Sequence, residues 1–281
     1  MIVMNKLLFG TAGIPICTSP RNTTNGIKQV RGLGLDSMEL EFVRSVNLST
    51  ALAEEVRKTA TKENVKLTCH GQYFVNLNSM DAAKRRASVE RILSACRICH
   101  IAGVWSVCYH FAYYHHQDKS LVLLNVKKEI EKILLTLREE GIQLWLRPET
   151  GGRVTQFGDL NELISLSESF EEILPCIDFA HHHSRTNGKY NTYEEFSSIL
   201  STIEKRLGRR ALNNMHIHTE GIAYNEKGER HHLNLQESDF NFLDLVQTWK
   251  DFNIKGVVTC ESPNIEKDAL LLQKAYKNLF R

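Results

Sequence analysis

Short apolar runs alternate with longer amphipathic stretches from one end of the chain to the other. That alternation is the pattern of strands followed by helices. Strand-like runs fall at 6–13, 37–43, 66–70, 104–110, 143–149, 174–181, 215–219 and 256–261. Between them, helical spacing predicts helices near 26–33, from about 49 (capped by Ser49 or Thr50, with Glu54 nearby), and at about 81–101, 121–140, 159–168, 193–207, 238–252 and 265–279. The segment at 220–234 reads as the longest loop in the second half. Strands that alternate with helices of this length argue for a parallel sheet, and eight such units argue for its closure into a (β/α)8 barrel. The expected fold is therefore α/β, a single TIM barrel. No Pro/Ser-rich linker or shift in composition divides the chain, so one domain is expected over 1–281.

At 281 residues the chain is long enough for two domains, but α/β barrels of about 250 residues form one. A net charge of +2 neither calls for nor excludes a nucleic-acid partner. No run of about 18 apolar residues is present, so no membrane span is expected. The first residues are not followed by a signal-like apolar stretch, because the run at Leu7 stops at Gly10; a cytoplasmic location is the expectation. Seven cysteines, an odd number, sit mostly inside apolar runs, as small buried hydrophobes of a reducing compartment do. Cys96 and Cys99 have C-x-x-C spacing but lie in a helical run without a second pair, which argues against a zinc or redox motif.

The chemistry lies where the strands end. Of twelve histidines only His100 falls in a predicted helix; the rest sit at C-terminal strand ends or in the loops just after them. His70, His110, Asp178 with His181, His216 and Glu261 close their runs, and Glu149 closes the fifth before the pair Gly151 and Gly152. In a parallel barrel these ends meet at one face. Imidazole and carboxylate ligands without thiolates suit Zn²⁺, with Mn²⁺ or Fe²⁺ as alternatives. The ligands outnumber the four that one ion takes, so more than one metal is expected, with a bridging carboxylate of the kind that serves phosphoester hydrolysis.

Six blocks, in order, carry a family resemblance. They are Cys69-His-Gly-Gln-Tyr-Phe-Val-Asn-Leu77, Glu149-Thr-Gly-Gly152, Cys176-Ile-Asp-Phe-Ala-His181, Met215-His-Ile-His218, Glu229-Arg-His-His232 and Cys260-Glu-Ser-Pro263. Over nearly its whole length the chain resembles the endonuclease IV family of apurinic/apyrimidinic endonucleases, within the xylose-isomerase-like barrels, as a divergent member of archaeal type. The resemblance implies a centre of up to three zinc ions. His70 and His110 would hold the first, Asp178 and His216 the second, with Glu149 and Glu261 bridging; His181, Glu229 and His231 would hold the third. It implies hydrolysis of the phosphodiester 5′ to an abasic site in damaged double-stranded DNA, by a monomer. Glu261 and Glu149 would serve catalysis, Glu261 orienting or deprotonating the nucleophile, and Tyr73 would lie against phosphate or sugar. The chain departs from the family in carrying Glu229 where Asp is usual, and in a short connection after the second strand.

Around these residues the expectations are plainer. One or two of His182, His183, His218 and His232 are expected to support ligands by hydrogen bonds. Glu39 and Glu41 are expected to pair with a lysine or arginine. Arg147 and Arg153 flank Glu149 as candidate phosphate contacts, and His115 and His116 lie in a loop open to solvent or substrate. Two other functions fit the same barrel. A divalent-metal sugar isomerase or epimerase would need one or two ions and leave His181, Glu229 and His231 without a role. A catalytically silent barrel would keep metals for stability alone.

Overall fold

The computed structural model describes residues 4–279; residues 1–3 and 280–281 of the expected domain lie outside the described residues. In chain order the elements are β1 (Leu7–Ala12), α1 (Thr23–Gly32), β2 (Ser37–Glu41), α2 (Thr50–Glu63), β3 (Lys66–His70), α3 (Ala82–Ala102), β4 (Ser106–Tyr109), α4 (Lys119–Glu139), β5 (Trp145–Pro148) and α5 (Leu160–Ser169). Then follow β6 (Cys176–Asp178), α6 (Phe179–Arg185), α7 (Tyr193–Leu207), α8 (Arg209–Leu212), β7 (Met215–Thr219), β8 (Gly221–Asn225), β9 (Gly228–Leu233), α9 (Phe242–Asp251), β10 (Gly256–Cys260) and α10 (Glu266–Asn278).

Eight strands run parallel in the order β5-β4-β3-β2-β1-β10-β7-β6. The outer two, β5 and β6, meet through parallel bridges Leu146–Ile173 and Glu149–Cys176, which nearly close the sheet into a TIM barrel. The strands are covered on both faces, and β4 and β7 are buried at every position although Ser106, His216, His218 and Thr219 are polar. Around them the helices turn one stripe inward, as Val122, Val126, Ile130, Ile133 and Leu137 of α4 do at helical spacing. Their starts are set by side chains that satisfy free backbone N–H groups. Asp81 and Asp118 cap α3 and α4, and Asp159 with Glu162, and Thr192 with Glu195, form reciprocal boxes.

Two segments depart from the sequence expectation. The stretch at 220–234 is a β-hairpin, β8 against antiparallel β9, rather than a loop. The sixth strand stops at Asp178, whose carboxylate accepts a hydrogen bond from the His181 N–H at 2.6 Å and so caps α6. His181 therefore rides on the first turn of a short helix, not on a strand.

The barrel interior is polar at its centre. Ser106 Oγ of β4 lies 3.0 Å from His216 Nδ1 of β7, and Glu39 of β2 also reaches β7; these strands are not neighbours, so the contacts cross the interior. Of the seven cysteines, all unpaired, Cys17 is exposed and six are buried, Cys96 and Cys99 within α3. No helix among the described residues is long and apolar enough to cross a membrane.

Candidate metal centre

Parallel neighbours deliver their C-terminal ends to one mouth, and Glu149, just past β5, stands at its middle. Its Oε2 lies 3.2 Å from His70 Nε2 and 3.6 Å from His110 Nε2. Its Oε1 lies 2.9 Å from His218 Nδ1, which is 3.3 Å from Glu261 Oε1. Glu149, Asp178, His218 and Glu261 each offer a ligand atom, all within 4.8 Å of one another, and so do His110, Glu149 and His181. A further group, His181 with Glu229 and His232, is built from α6 and the hairpin: both rings lie 3.8 Å from Glu229.

The hairpin reaches the mouth because two glycines let backbones touch. Glu229 N–H donates to Gly152 O at 2.9 Å. A Cβ on Gly228, whose φ is +96°, would fall 2.3 Å from that same oxygen, and one on Gly152 would fall 2.7 Å from Glu229 Oε2.

Most of the expected ligands meet here: His70, His110, Glu149, Asp178, His181, Glu229 and Glu261. Two do not. His216 points into the barrel below the group, 3.0 Å from Glu39, and it is His218, two residues on and so on the same face of β7, that reaches the acids. His231 is exposed on β9; Tyr224 pairs with Glu229 and Ala223 with His231, so a bulge at Arg230 shifts the alternation and places His232 with Glu229 on the inward face. Sequence reasoning also passed over Glu220, fully buried, with its Oε1 4.0 Å from His181 Nε2 and 3.8 Å from His232 Nε2. The one signal for it was an acid directly after the strand that carries His218.

Other expectations resolve differently. Arg147 is no phosphate contact: it is wholly buried and donates to Ser106 Oγ, Pro175 O and Asn214 O. Arg153 is exposed, 4.0 Å from Glu229. Glu39 pairs with His216 and His218, not with a lysine or arginine. His182 stacks edge-on against Tyr190, and His183 lies by Lys189 O, away from the group. His115 touches Asn76 in the outer loops. Tyr73 is 57% exposed with its ring 5.4 Å from His70, beside Phe74, which is 66% exposed.

The electrostatics are those of ligands packed closer than free charges tolerate. Burial works against the His70 imidazolium, yet Glu149 and Glu261 raise its pKa well above the usual value. Burial also opposes the charged form of His181, but Asp178 and Glu229 raise it to about 9. Burial, with His181 and His70 nearby, pulls His110 down to about 4 in spite of Glu149. Asp178 is pushed up to about 6 by burial and by Glu261 and Glu149, against His181. For Glu149 burial is outweighed by His110, His218 and His70, which hold it well below the usual carboxylate range.

The donor set fits metal ions. His70 Nδ1 sits 2.8 Å from Gly71 O, and His181 Nδ1 sits 3.1 Å from Thr150 O. A ring that donates from Nδ1 can present Nε2 to a cation once that nitrogen has shed its proton, the tautomer a ligand needs. Without a cation the facing carboxylates outweigh burial and favour the protonated rings instead, which is why both imidazoles have raised pKa values. Glu149 Oε2, Asp178 Oδ2, His181 Nε2 and both Glu220 oxygens are buried without a hydrogen-bond partner among the described residues. Buried groups of this kind call for a partner.

Comparison with known proteins places the chain among barrels of this architecture. An uncharacterized protein of Methanocaldococcus jannaschii is 39% identical over 274 residues, 97% of this chain and 98% of its own. A probable endonuclease 4 of Mycoplasma pneumoniae is 25% identical over 202 residues, 70% of this chain and 68% of its own. Two solved structures share the fold at 17% identity. Endonuclease IV from Thermus thermophilus has a TM-score of 0.73 and covers 96% of this chain and 98% of its own. A D-tagatose 3-epimerase-like protein has 0.72 and covers 96% of this chain and 97% of its own. The family model described as xylose isomerase-like TIM barrel matches residues 27–279, and the chain belongs to that family.

Proposed function

We propose that this barrel is a zinc-dependent DNA-repair phosphodiesterase that hydrolyses the bond 5′ to an abasic site in double-stranded DNA. The observation that carries the reading is the third ligand group, His181, Glu229 and His232, held against the strand-end acids by the hairpin. Three ligand groups exceed what a one- or two-ion reaction requires. His70, His110 and Glu149 would hold one ion, and Asp178, His218 and Glu261 a second, with Glu149 shared. His181, Glu229 and His232 would hold a third, within reach of Glu220. When bound, such ions activate water and offset charge on the attacking and leaving oxygens of a phosphoester.

The chain's own residues do the rest. Glu261, less buried than Glu149, orients the attacking water and takes its proton. Glu149 keeps two ligand groups in register. Tyr73 and Phe74 present exposed rings at the rim, where they can lie against sugar or an unstacked base. With a net charge of +2, affinity for DNA comes from local phosphate contacts and should fall as salt rises. The relative named probable endonuclease 4 supports this substrate class. A reducing compartment such as the cytoplasm suits seven unpaired cysteines, and the proposed form is a monomer.

A second reading, a sugar isomerase or epimerase, is favoured by one observation: Glu149, Asp178, His218 and Glu261 alone suffice for one ion, and the epimerase-like structure shares the barrel. Incision of a labelled duplex with one abasic analogue separates the two. Zinc-loaded protein is expected to cut on the 5′ side of the lesion, and Glu261→Gln to lose that cut. Intact duplex with three zinc ions bound, and turnover of a ketose instead, would sink the repair reading.

A further inference from the structure

Beneath the mouth a line of polar side chains crosses the barrel floor. Arg147 Nε donates to Ser106 Oγ at 2.6 Å, and Ser106 Oγ lies 3.0 Å from His216 Nδ1. His216 Nε2 lies 3.0 Å from Glu39 Oε2, and Glu39 Oε1 lies 3.0 Å from His218 Nε2. The other nitrogen of His218 faces Glu149 and Glu261. Ser106, Arg147, Glu39, His216 and His218 are all fully buried.

The distances along this line decide which ring nitrogen faces which partner. Arg147 can only donate, so Ser106 Oγ accepts from it, and the hydroxyl can still either donate to His216 Nδ1 or accept from it. His216 Nε2 is the nitrogen that points at Glu39. Glu39 sets one carboxylate oxygen 3.0 Å from the Nε2 of each ring, though neither oxygen is aligned for a hydrogen bond, and Cys108 Sγ also lies 3.7 Å from His218 Nε2. As a ligand His218 would use Nδ1, the nitrogen aimed at Glu149 and Glu261, and its proton would then sit on Nε2 beside Glu39. This differs from His70 and His181, whose rings are set by backbone carbonyls through Nδ1 and face the mouth through Nε2.

We propose that Glu39 is a positioning residue for the metal centre: it holds the Nε2 protons of His216 and His218, so that His218 presents Nδ1 to the ion shared with Asp178 and Glu261. The inference rests on the metal-centre reading and is independent of which bond the enzyme cleaves. A carboxylate behind a ligand imidazole both fixes its tautomer and raises its basicity, and losing such a partner weakens metal binding about 10–100-fold. Each Glu39 oxygen faces one imidazole, His216 or His218, at 3.0 Å.

Zinc affinity and ¹⁵N-histidine NMR test this without a substrate. In the zinc-loaded natural chain, His216 and His218 are expected to carry their protons on Nε2, with the zinc-induced shift of His218 on Nδ1. Equilibrium Zn²⁺ titration is expected to show one ion bound about 10–100-fold more weakly in Glu39→Met, which keeps length but loses both acceptors. Glu39→Gln, with one acceptor restored, should fall between, and the remaining ions should bind as before. A merely structural role would lower the melting temperature and leave zinc affinity equal across the three proteins; that result overturns the proposal. Should Glu39→Met not fold, the NMR of the natural chain decides, and zinc on Nε2 of His218 overturns it. A natural chain that takes up no zinc removes the metal-centre reading and this inference with it.

Discussion

The two sides of the candidate centre are built differently. His70, His110, Glu149, Asp178 and Glu261 sit on or just past strand ends of the barrel, and His218 is within β7; their backbones are locked by the parallel ladder. Glu229 and His232 stand on a two-stranded hairpin, and His181 on a short helix capped by Asp178. Burial separates the sides less than anchoring does: His70, Glu149, Asp178 and His218 are buried, while His110 and Glu261 are partly open to solvent, as Glu229 and His232 are. Sites on core strands are held more tightly than sites on appended elements. The barrel thus supplies a rigid pair of ligand groups and the hairpin adds an adjustable third.

Substitutions can break that contrast. The largest effect is expected from Glu149→Ala, which removes the acid common to two groups. Metal analysis should show loss of the strand-borne ions, and incision should fall to background. Glu261→Gln should lower kcat about 10²–10⁴-fold, the usual contribution of a proton-transferring group.

On the hairpin side, Glu229→Ala or His232→Ala should release one ion and leave the others bound, with little change in melting temperature. Loss of all ions together would show that the two sides are one cooperative unit. Gly152→Ala probes the seam between them, since its Cβ would fall 2.7 Å from Glu229 Oε2 and 2.8 Å from His181 Cδ2. It should cost about 1–3 kcal/mol of stability and weaken the third ion ahead of the other two.

Proton linkage sharpens the contrast in another way. With metal absent, His181 has its pKa raised to about 9 and Asp178 to about 6. A raised pKa means stability that is full below the unfolded value and lost as pH rises through the folded one. The metal-free chain should therefore lose stability from about pH 4 to 6 through Asp178 and from about pH 6.5 to 9 through His181. Zinc affinity should run the opposite way, rising up to about pH 9, because ligands must shed those protons. Calorimetry in two buffers of different ionisation heat would count them, and affinity independent of pH over that window would remove His181 from the ligand set. The smallest effect is expected from His231→Ala: exposed on β9, it should change stability by less than about 0.5 kcal/mol and leave zinc content intact.

Much of the barrel was legible from periodicity alone. Lys66–His70, Tyr193–Leu207 and Met215–Thr219 fall where the apolar pattern places them, because burial on both faces or on one stripe writes itself into residue order. The hairpin was not legible, since its half-exposed polar strands carry no apolar alternation strong enough to mark them. The rise in ligand-type residues at strand ends also survived into three dimensions, with Glu149 at the centre.

What sequence could not choose was between near neighbours on one strand. His216 and His218 share a face of β7, one layer of the barrel apart, and only the depth of the layer opposite decides which meets the acids and which meets Ser106 and Glu39. His231 and His232 lie on opposite faces, and only the docking of Glu229 on Gly152 together with the bulge at Arg230 says which of them is inward. The chain order determined a TIM barrel with an acid- and imidazole-rich mouth, because local pattern encodes which faces are buried. Packing across the barrel decided which imidazole serves as ligand and which as support, because that depends on distances between residues far apart in sequence.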